Sequence, residues 1–444
     1  MTAAMGAPPP TPEHPDGRER AIARVAWVFL DWAASAFSTI SITLLVAYVD
    51  KVVFAGAPWG VPGGVVWAWT LAAAMLITAL VAPWCAAWAD RRHAHKQALS
   101  ASILLGCAGA LLLAALPPSA RAGVVGGVVV AAVGFDLAAI FTGSLLPRIA
   151  PGTAGDRLSA IGYAAGYAGG AIALGLATSI HAWRGRLGLD DAGALRAAFA
   201  LMGAWWLVFS LPAFLVRFGG AGDGVHSSTS AGELLAFARQ LRRGEGGQGG
   251  LGALLAGAVL VLGAMQTAIA QFSSVALEEF GLEPRQLVFL VLLVQLVALP
   301  GALAVGWISA RGGRGRALAL SLAGWVLVFV LGWFVTTTGQ LWALAVLLAL
   351  VLGGAASVIR AAVAALAPPG RFGTTFGLLN VGSKLAGFVA SSLVGAVYAA
   401  SGHSRAGLLA LLVQLVAGWW LLARAGTGVL DGGEGSPAAT DAPS

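Results

Sequence analysis

Residues Phe29 to Phe37 read FLDWAASAF, and they lie inside a predominantly apolar run that extends from about residue 24 to residue 49. A run of this length can cross a hydrocarbon core of about 30 Å as a helix. One carboxylate, that of Asp31, interrupts the run. Because a charged group is costly inside a bilayer, Asp31 is predicted to face a polar cavity or an opposite charge.

The composition of the whole chain indicates a membrane protein. Of its 444 residues, 58% are hydrophobic and 10% are charged, whereas a soluble domain has about 25% charged residues. Apolar segments of this kind must be helical, because a backbone in lipid satisfies its hydrogen bonds within its own segment. We predict an all-α polytopic protein with twelve spans at 24–49, 63–89, 97–116, 121–147, 157–182, 195–218, 251–277, 285–309, 316–335, 340–367, 372–401 and 404–424.

One long polar interruption, 219–250, divides the spans six and six. Similar sequences follow the second span (PWCAAWADRR, 83–92) and the eighth (GWISARGGRGR, 306–316), and Arg91 and Arg311 in them are 220 residues apart. This offset indicates two parallel duplicates related by an axis along the membrane normal. The predicted organisation is a tail (1–23), a six-helix bundle (24–218), a linker (219–250), a second six-helix bundle (251–424) and a tail (425–444).

The basic residues predict the orientation of the chain. With the N-terminus inside, 17 of the 26 Lys and Arg residues fall in cytoplasmic loops and tails, including the linker sequence RQLRR at 239–243. Positive charge collects on the cytoplasmic side of membrane proteins. We therefore expect a multi-pass protein of a bacterial-type cytoplasmic (inner) membrane with both termini in the cytoplasm, inserted by its first helix without a cleaved signal peptide.

Four ionisable residues fall well inside the predicted spans, and their formal charges sum to zero: Asp31, Asp136, Arg360 and Lys384. Since a lone charge in the bilayer is unfavourable, we expect ion pairing across the two halves. Two interpretations remain open. The pairs could fix helix register, or a carboxylate could carry protons while Arg360 or Lys384 holds an anionic group.

Further polar residues cluster in the same spans. Ser35 follows Asp31 by one helical turn, Asn380 precedes Lys384 by one turn, and Gln266 and Gln271 lie in the seventh span. Residues one turn apart share a helix face. These side chains are predicted to point toward a common wet interior.

The sequence offers little support for other chemistry. The stretch 377–384 (GLLNVGSK) has the wrong order and context for a phosphate-binding loop. His93 and His95 have no third ligand nearby, and Cys85 and Cys107 are predicted to be packing residues. We expect no metal, no cofactor, no enzymatic activity and no nucleic-acid partner. We expect a monomer in lipid that handles a small solute and protons.

Several motifs together resemble the vacuole-effluxer-like (autophagy-related) branch of the major facilitator superfamily. They are DWAASAF from Asp31, LLPRIAPGTAGDRLSAIGYAAGYAGG from Leu145, LVQLVALPGALAVG from Leu293 and FGLLNVGSK from Phe376. The resemblance implies two six-helix bundles around a central cavity that opens alternately to each side. It also implies secondary active transport, and eukaryotic relatives are associated with amino-acid export from the vacuole.

The resemblance also bears on individual residues. Asp31, Asn380 and Lys384 match the family pattern, whereas Ala34 stands where Asn is common. The superfamily's gating-loop motif Gly-x-x-x-Asp-Arg keeps Asp90 and Arg91 but has Ala86 in place of Gly. Its second copy keeps Gly306 and Arg311 but has Ala310 in place of Asp.

The first functional hypothesis is a secondary active transporter of a small polar solute such as an amino acid, with proton coupling and efflux favoured. The alternative is an integral-membrane enzyme or sensor that has no transport cycle. Accessibility of one cavity residue from both sides of the membrane would distinguish the two.

Overall fold

The computed structural model describes residues 17–60, 63–150, 153–218, 236, 239–241, 249–278, 280–368, 371–401 and 406–425. Most of the predicted linker, with Arg242 and Arg243, and nearly all of both predicted tails lie outside the described residues. The described chain is helical, without strands, and forms the twelve-helix arrangement that the apolar segments predict. Within the described residues, eleven helices are long and apolar enough to cross a membrane, and a shorter apolar segment, Leu409–Ala425, supplies the twelfth.

We number the helices by span. Helix α1 comprises Gly17–Ile40 and its continuation through Ser41–Leu45, Val46–Tyr48 and Val49–Val53. It is followed by α2 (Gly63–Arg92), α3 (His95–Ala115), α4 (Arg121–Ile149), α5 (Thr153–Ala182) and α6 (Asp191–Leu215). The second half contains α7 (Gly249–Glu278), α8 (Pro284–Gly312), α9 (Arg314–Phe334), α10 (Thr338–Leu352 and Gly354–Leu366), α11 (Phe372–Ser401) and α12 (Ala406–Ala425).

The first helix departs most from a regular α-helix. It is longer than the predicted span at both ends, and its segments Ser41–Leu45 and Val49–Val53 are π-helical. The hydroxyl groups of Ser35, Ser38 and Ser41 each donate to the carbonyl three residues earlier. Such back-bonding competes with the helix ladder and bends helices, and π turns often occur at functional sites.

Helix packing defines the two bundles and the seam between them. In the first half α1 packs on α5 and α6, and α4 packs on α2 and α3; in the second, α7 packs on α11 and α12, and α8 on α9 and α10. The halves meet mainly through α5 against α8 and α2 against α11. In a parallel duplication α2 is equivalent to α8, and α5 is equivalent to α11. The two helix contacts between the halves are therefore equivalent to each other, as the duplication predicts.

Within the first half, α3 and α4 approach at backbone distance. A Cβ atom at Gly134 would overlap the backbone of Gly106, whereas a Cβ atom at Gly126 of the same helix would meet no atom within 4 Å. Small residues at a crossing allow close packing, which stabilises helix pairs in lipid. The position of α4, which carries Asp136, therefore depends on Gly134.

We expect Gly134→Ala to destabilise the protein by about 1–3 kcal/mol, the usual cost of overpacking. The matched control, Gly126→Ala, should be neutral or slightly stabilising because alanine favours the helix. Thermal unfolding in detergent, followed by tryptophan fluorescence, compares the two. Equal stability of both variants would contradict the close crossing.

Candidate functional site

Asp31 of α1 and Arg360 of α10 form a two-point ion pair across the halves. Arg360 Nη2 lies 2.9 Å from Asp31 Oδ2, and Nη1 lies 3.3 Å from Oδ1. The side chains are 14% (Arg360) and 21% (Asp31) exposed, so the pair is largely but not fully shielded from solvent. This geometry confirms for one pair that the charges inside the spans meet across the two halves.

The rest of the Arg360 guanidinium is held by side chains and one backbone carbonyl of the first half. Its Nε donates to Ser159 Oγ at 2.9 Å, and Nη2 donates to the Ser159 carbonyl at 3.0 Å. The ring centroids of Tyr163 and Trp27 lie 4.3 and 4.7 Å from its Cζ atom. Cation–π contacts of this kind contribute about 0.5–2 kcal/mol each.

The glycines of α5 create the space for this pair. A Cβ atom at Gly162 would overlap Asp31 Oδ2, and at Gly166 it would contact the Asp31 backbone at 3.4 Å. The four-residue spacing of these glycines puts them on the face that packs against α1. The sequence GYAAGYAGG therefore serves close packing and also leaves the carboxylate free to reach Arg360.

A second ion pair joins α4 and α11. Lys384 Nζ lies 2.8 Å from Asp136 Oδ1, and it also donates to Gln266 Oε1 of α7 at 3.1 Å. The two charged side chains are 11% (Lys384) and 8% (Asp136) exposed, so this pair is drier than the first. Asp31 is consequently the more water-accessible of the two carboxylates.

The remaining predicted site residues have different surroundings. The Oδ1 atom of Asn380 is buried and has no hydrogen-bond partner in the described part of the chain. Ser35 Oγ donates to the Trp32 carbonyl and packs against Gly169 of α5. Gln271 lines a mainly apolar cavity with residues of α9 and α10, and none of the four charged residues inside the spans lines that cavity.

Two more polar contacts join the halves at the end of the bundle where α1 begins, which we call the terminal end. Asp90 Oδ2 of α2 accepts hydrogen bonds from the backbone nitrogen and Oγ1 of Thr374 in α11, at 3.0 and 2.6 Å. Asp156 of α5 pairs with Arg314 of α9 at 2.8 Å. Both contacts are buried, so they hold the halves together at this end.

The other two predicted gating-loop residues, Arg91 and Arg311, are exposed. The Arg311 guanidinium lies over the Trp307 ring, 4.4 Å from its centroid. Arg314, three residues after Arg311, makes the buried contact with Asp156 of the first half.

The four contacts between the halves described above have their charges arranged in the same direction. Each carboxylate of the four contacts belongs to the first half, and each cation or donor belongs to the second. If the halves separate, one face therefore presents Asp31 and Asp136, and the other presents Arg360 and Lys384. A solute that binds between the faces can satisfy both only with a cationic or donor end and an anionic or acceptor end.

Sequence reasoning missed several of these residues. Ser159 and Tyr163 stand four residues apart on α5, facing Arg360, within a stretch that the sequence analysis used only for its resemblance to the family. Asp156 and Arg314 are near span ends, where charged residues commonly lie in solvent. The alternation of aromatic and small residues in IGYAAGYAGG was the available signal for Tyr163, because ring faces attract guanidinium groups.

A model of the family described as vacuole effluxer Atg22 like matches residues 65–426 of the chain. The chain belongs to this Atg22-like family. The matched range contains Asp136, Arg360 and Lys384 and begins after α1, which carries Asp31. A curated relative, the uncharacterized MFS-type transporter YxiO of Bacillus subtilis (strain 168), is 25% identical over 409 residues, covering 90% of this chain and 93% of YxiO.

Solved structures show the same fold. The human organic anion transporter MFSD10 (TETRAN) superposes with a TM-score of 0.71 at 16% identity, covering 92% of this chain and 100% of that one. The Escherichia coli fucose:proton symporter FucP gives a TM-score of 0.68 at 15% identity, covering 91% and 98%. The Atg22-like chain is therefore a multi-pass membrane protein with the twelve-helix major facilitator fold, and it is an MFS-type transporter.

The Asp136–Lys384 pair gives a stability prediction for this Atg22-like protein. Asp136→Leu leaves a buried cation without its carboxylate, which should cost about 3–5 kcal/mol. Adding Lys384→Met removes the unpaired charge and should recover most of that loss. Thermal unfolding of the purified variants measures both changes.

The control breaks an exposed pair. Asp191 contacts Arg184 at 2.6 Å, and the Asp191 side chain is 71% exposed. Asp191→Ala should therefore cost less than about 1 kcal/mol. A loss of that small size in Asp136→Leu would show that the buried pair does not stabilise the fold.

Proposed function

We propose that this chain is a secondary active transporter that moves a small polar solute, of the amino-acid class, by alternating access with proton coupling. One observation carries the proposal: two ion pairs inside the spans join the halves, namely Asp31–Arg360 and Asp136–Lys384. Alternating access requires the halves to separate on one side at a time. Separation breaks contacts between charges that cannot be left unpaired in a dry interior.

A zwitterion fits the polarity of the two faces. Its ammonium group would lie toward the carboxylates of the first half and its carboxylate toward Arg360 or Lys384 of the second. The unpartnered Oδ1 of Asn380, one turn from Lys384, adds an acceptor for an N–H or O–H group of the solute. A solute of this kind replaces the ion-pair partners that it displaces, so that opening leaves no buried charge uncompensated.

Protonation of Asp31 offers the coupling step. The neutral carboxylic acid no longer holds the guanidinium, which frees Arg360 to bind an anionic group. Asp31 is the better candidate than Asp136 because its side chain is more exposed, at 21% against 8%. The proton symport named for FucP supports coupling of this type in the same fold.

The family description and the loop charges support the direction and the membrane that we propose. The family description names an effluxer, and the basic residues favour a cytoplasmic location for both termini in a bacterial-type inner membrane. We further propose that a monomer is the functional unit. In this orientation the Asp90–Thr374 and Asp156–Arg314 contacts close the cytoplasmic side.

The first test is metabolite profiling of cells and medium for a strain that lacks the protein, compared with the complemented strain. Solutes that accumulate inside the deletion strain and are cleared on complementation identify the cargo of an exporter. Identical profiles in media supplemented with each amino acid would contradict the proposed solute class.

We expect Asp31→Asn to abolish or uncouple transport while the protein still inserts. Asparagine removes the titratable charge but keeps the side-chain volume. The matched control is Asp50→Asn at the other end of α1, where Asp50 pairs with its neighbour Lys51, whose side chain is 70% exposed. Solute and proton fluxes in liposomes should be lost or uncoupled in the first variant and normal in the second; wild-type coupled flux in Asp31→Asn would refute the assignment.

We also expect a cavity residue to be accessible from both sides of the membrane. Asn380→Cys in a Cys85→Ala and Cys107→Ala background provides a single thiol beside Lys384. Membrane-impermeant thiol reagents added to right-side-out and inside-out vesicles should both label it, at rates that change with solute. Labelling from one side alone, under every solute and pH condition, would favour the enzyme or sensor alternative.

A further inference from the structure

His95 begins α3 directly after the short turn from α2, and it is buried at 2% exposure. Its Nε2 atom lies 3.0 Å from Asp90 Oδ1, and its Nδ1 atom lies 3.2 Å from Ser144 Oγ of α4. The Asp90 side chain is also buried, at 2% exposure. The ring is therefore in contact with polar groups at both nitrogens, inside the packed end of the first bundle.

Asp90 divides its two carboxylate oxygens between the halves. Oδ1 faces His95 in its own half, and Oδ2 accepts both hydrogen bonds from Thr374 at the first turn of α11. The amide groups in a first helical turn have no partner within the helix and carry partial positive charge. The Asp90 carboxylate thus contacts the His95 imidazole through one oxygen and the start of α11 through the other.

The hydrogen-bond geometry around His95 accommodates a ring with two N–H donors. When Ser144 Oγ donates its single proton to the Phe141 carbonyl, 2.9 Å away, the same Oγ accepts from His95 Nδ1. An ionised carboxylate also only accepts, so Nε2 donates to Asp90 Oδ1. A ring that donates from both nitrogens is an imidazolium, next to the buried Asp90 carboxylate.

We propose that His95 is a positioning residue for the contact between the halves: as an imidazolium it holds Asp90 in place to bind the first turn of α11. The neutral ring can retain Nε2–H toward Asp90, but Nδ1 then needs the Ser144 proton and the bond to Phe141 is lost. The carboxylate also loses its cationic neighbour. Protonation of His95 therefore strengthens closure of the terminal end, and deprotonation weakens it.

Other charged residues stand close in sequence to the helix ends at the terminal end of the first half and of α11. They are Arg91, Arg92, His93 and Lys96 beside the α2–α3 turn, Arg148 at the end of α4, Arg217 after α6 and Arg371 before α11. All of these except His93 keep a positive charge across the pH range in which histidine titrates. A change in closure that depends on His95 can thus be separated from them by substitution.

The protonation state is tested by ¹⁵N NMR of histidine-labelled protein in liposomes. The His95 signal is assigned by its loss in His95→Gln, and at about pH 6 we expect both ring nitrogens to give the shifts of protonated imidazolium. A neutral tautomer with one unprotonated nitrogen at that pH would overturn the proposal.

Closure is tested by spin-label distances between Arg92→Cys and Arg316→Cys, two exposed positions on opposite halves, in a Cys85→Ala and Cys107→Ala background. In the doubly labelled protein without further substitution, we expect the closed population to fall at least about twofold as the pH rises from about 5 to 8. His95→Gln, which keeps a donor but does not titrate, should show no such change. The matched control His93→Asn should behave as the parent protein does, since His93 is exposed and asparagine tolerates its positive φ.

A pH-independent parent protein, or the same pH response in His95→Gln, would overturn the assignment. If His95→Gln does not fold, Ser144→Ala gives the second test. It removes the acceptor for Nδ1–H and should move the loss of closure to lower pH, because the imidazolium is then less favoured. An unchanged midpoint in Ser144→Ala would again refute the role of His95.

Discussion

The structure depends on one constraint: a charge inside the bilayer must lie next to an opposite charge, and here the partner is in the other half of the molecule. Asp31 and Asp136 would each be costly in an isolated first bundle, and Arg360 and Lys384 in an isolated second one. Joining the bundles satisfies all four at once. The interface between the halves is therefore stabilised by the same groups that any opening movement must release.

The cations that join the halves differ in how many groups surround them. Arg360 has a carboxylate, a serine and two aromatic faces around it, whereas Lys384 has a carboxylate and an amide. At the terminal end, Asp90 and Asp156 add two buried contacts. Because closely packed interfaces have discrete arrangements rather than continuous ones, breaking these contacts together favours two distinct states over gradual opening.

Small residues and charges act together at this interface. The glycines of α5 bring α1 near enough for Asp31 to reach across to α10, and Gly106 and Gly134 hold α4 against α3. In lipid, where the hydrophobic effect does not drive helices together, such close contacts are a main source of stability. A side chain added at Gly162 would therefore displace the Asp31 carboxylate as well as a helix. The His95 cluster shows the same dependence, since its geometry requires three helices of one half to present one carboxylate to α11.

The sequence by itself determined the membrane class, the twelve spans, their division into halves and the four charges that had to be paired. These follow from hydropathy, length and the cost of an unpaired charge, which are properties of local segments. The tertiary structure decided which acid meets which base, because that depends on how twelve helices are arranged. It also brought Ser159, Tyr163, Asp156 and Arg314 into the contacts and separated Gln271 from Gln266. Helix termini and the glycine at 353 that divides α10 depended on packing for the same reason: they are set by contacts between segments far apart in the chain.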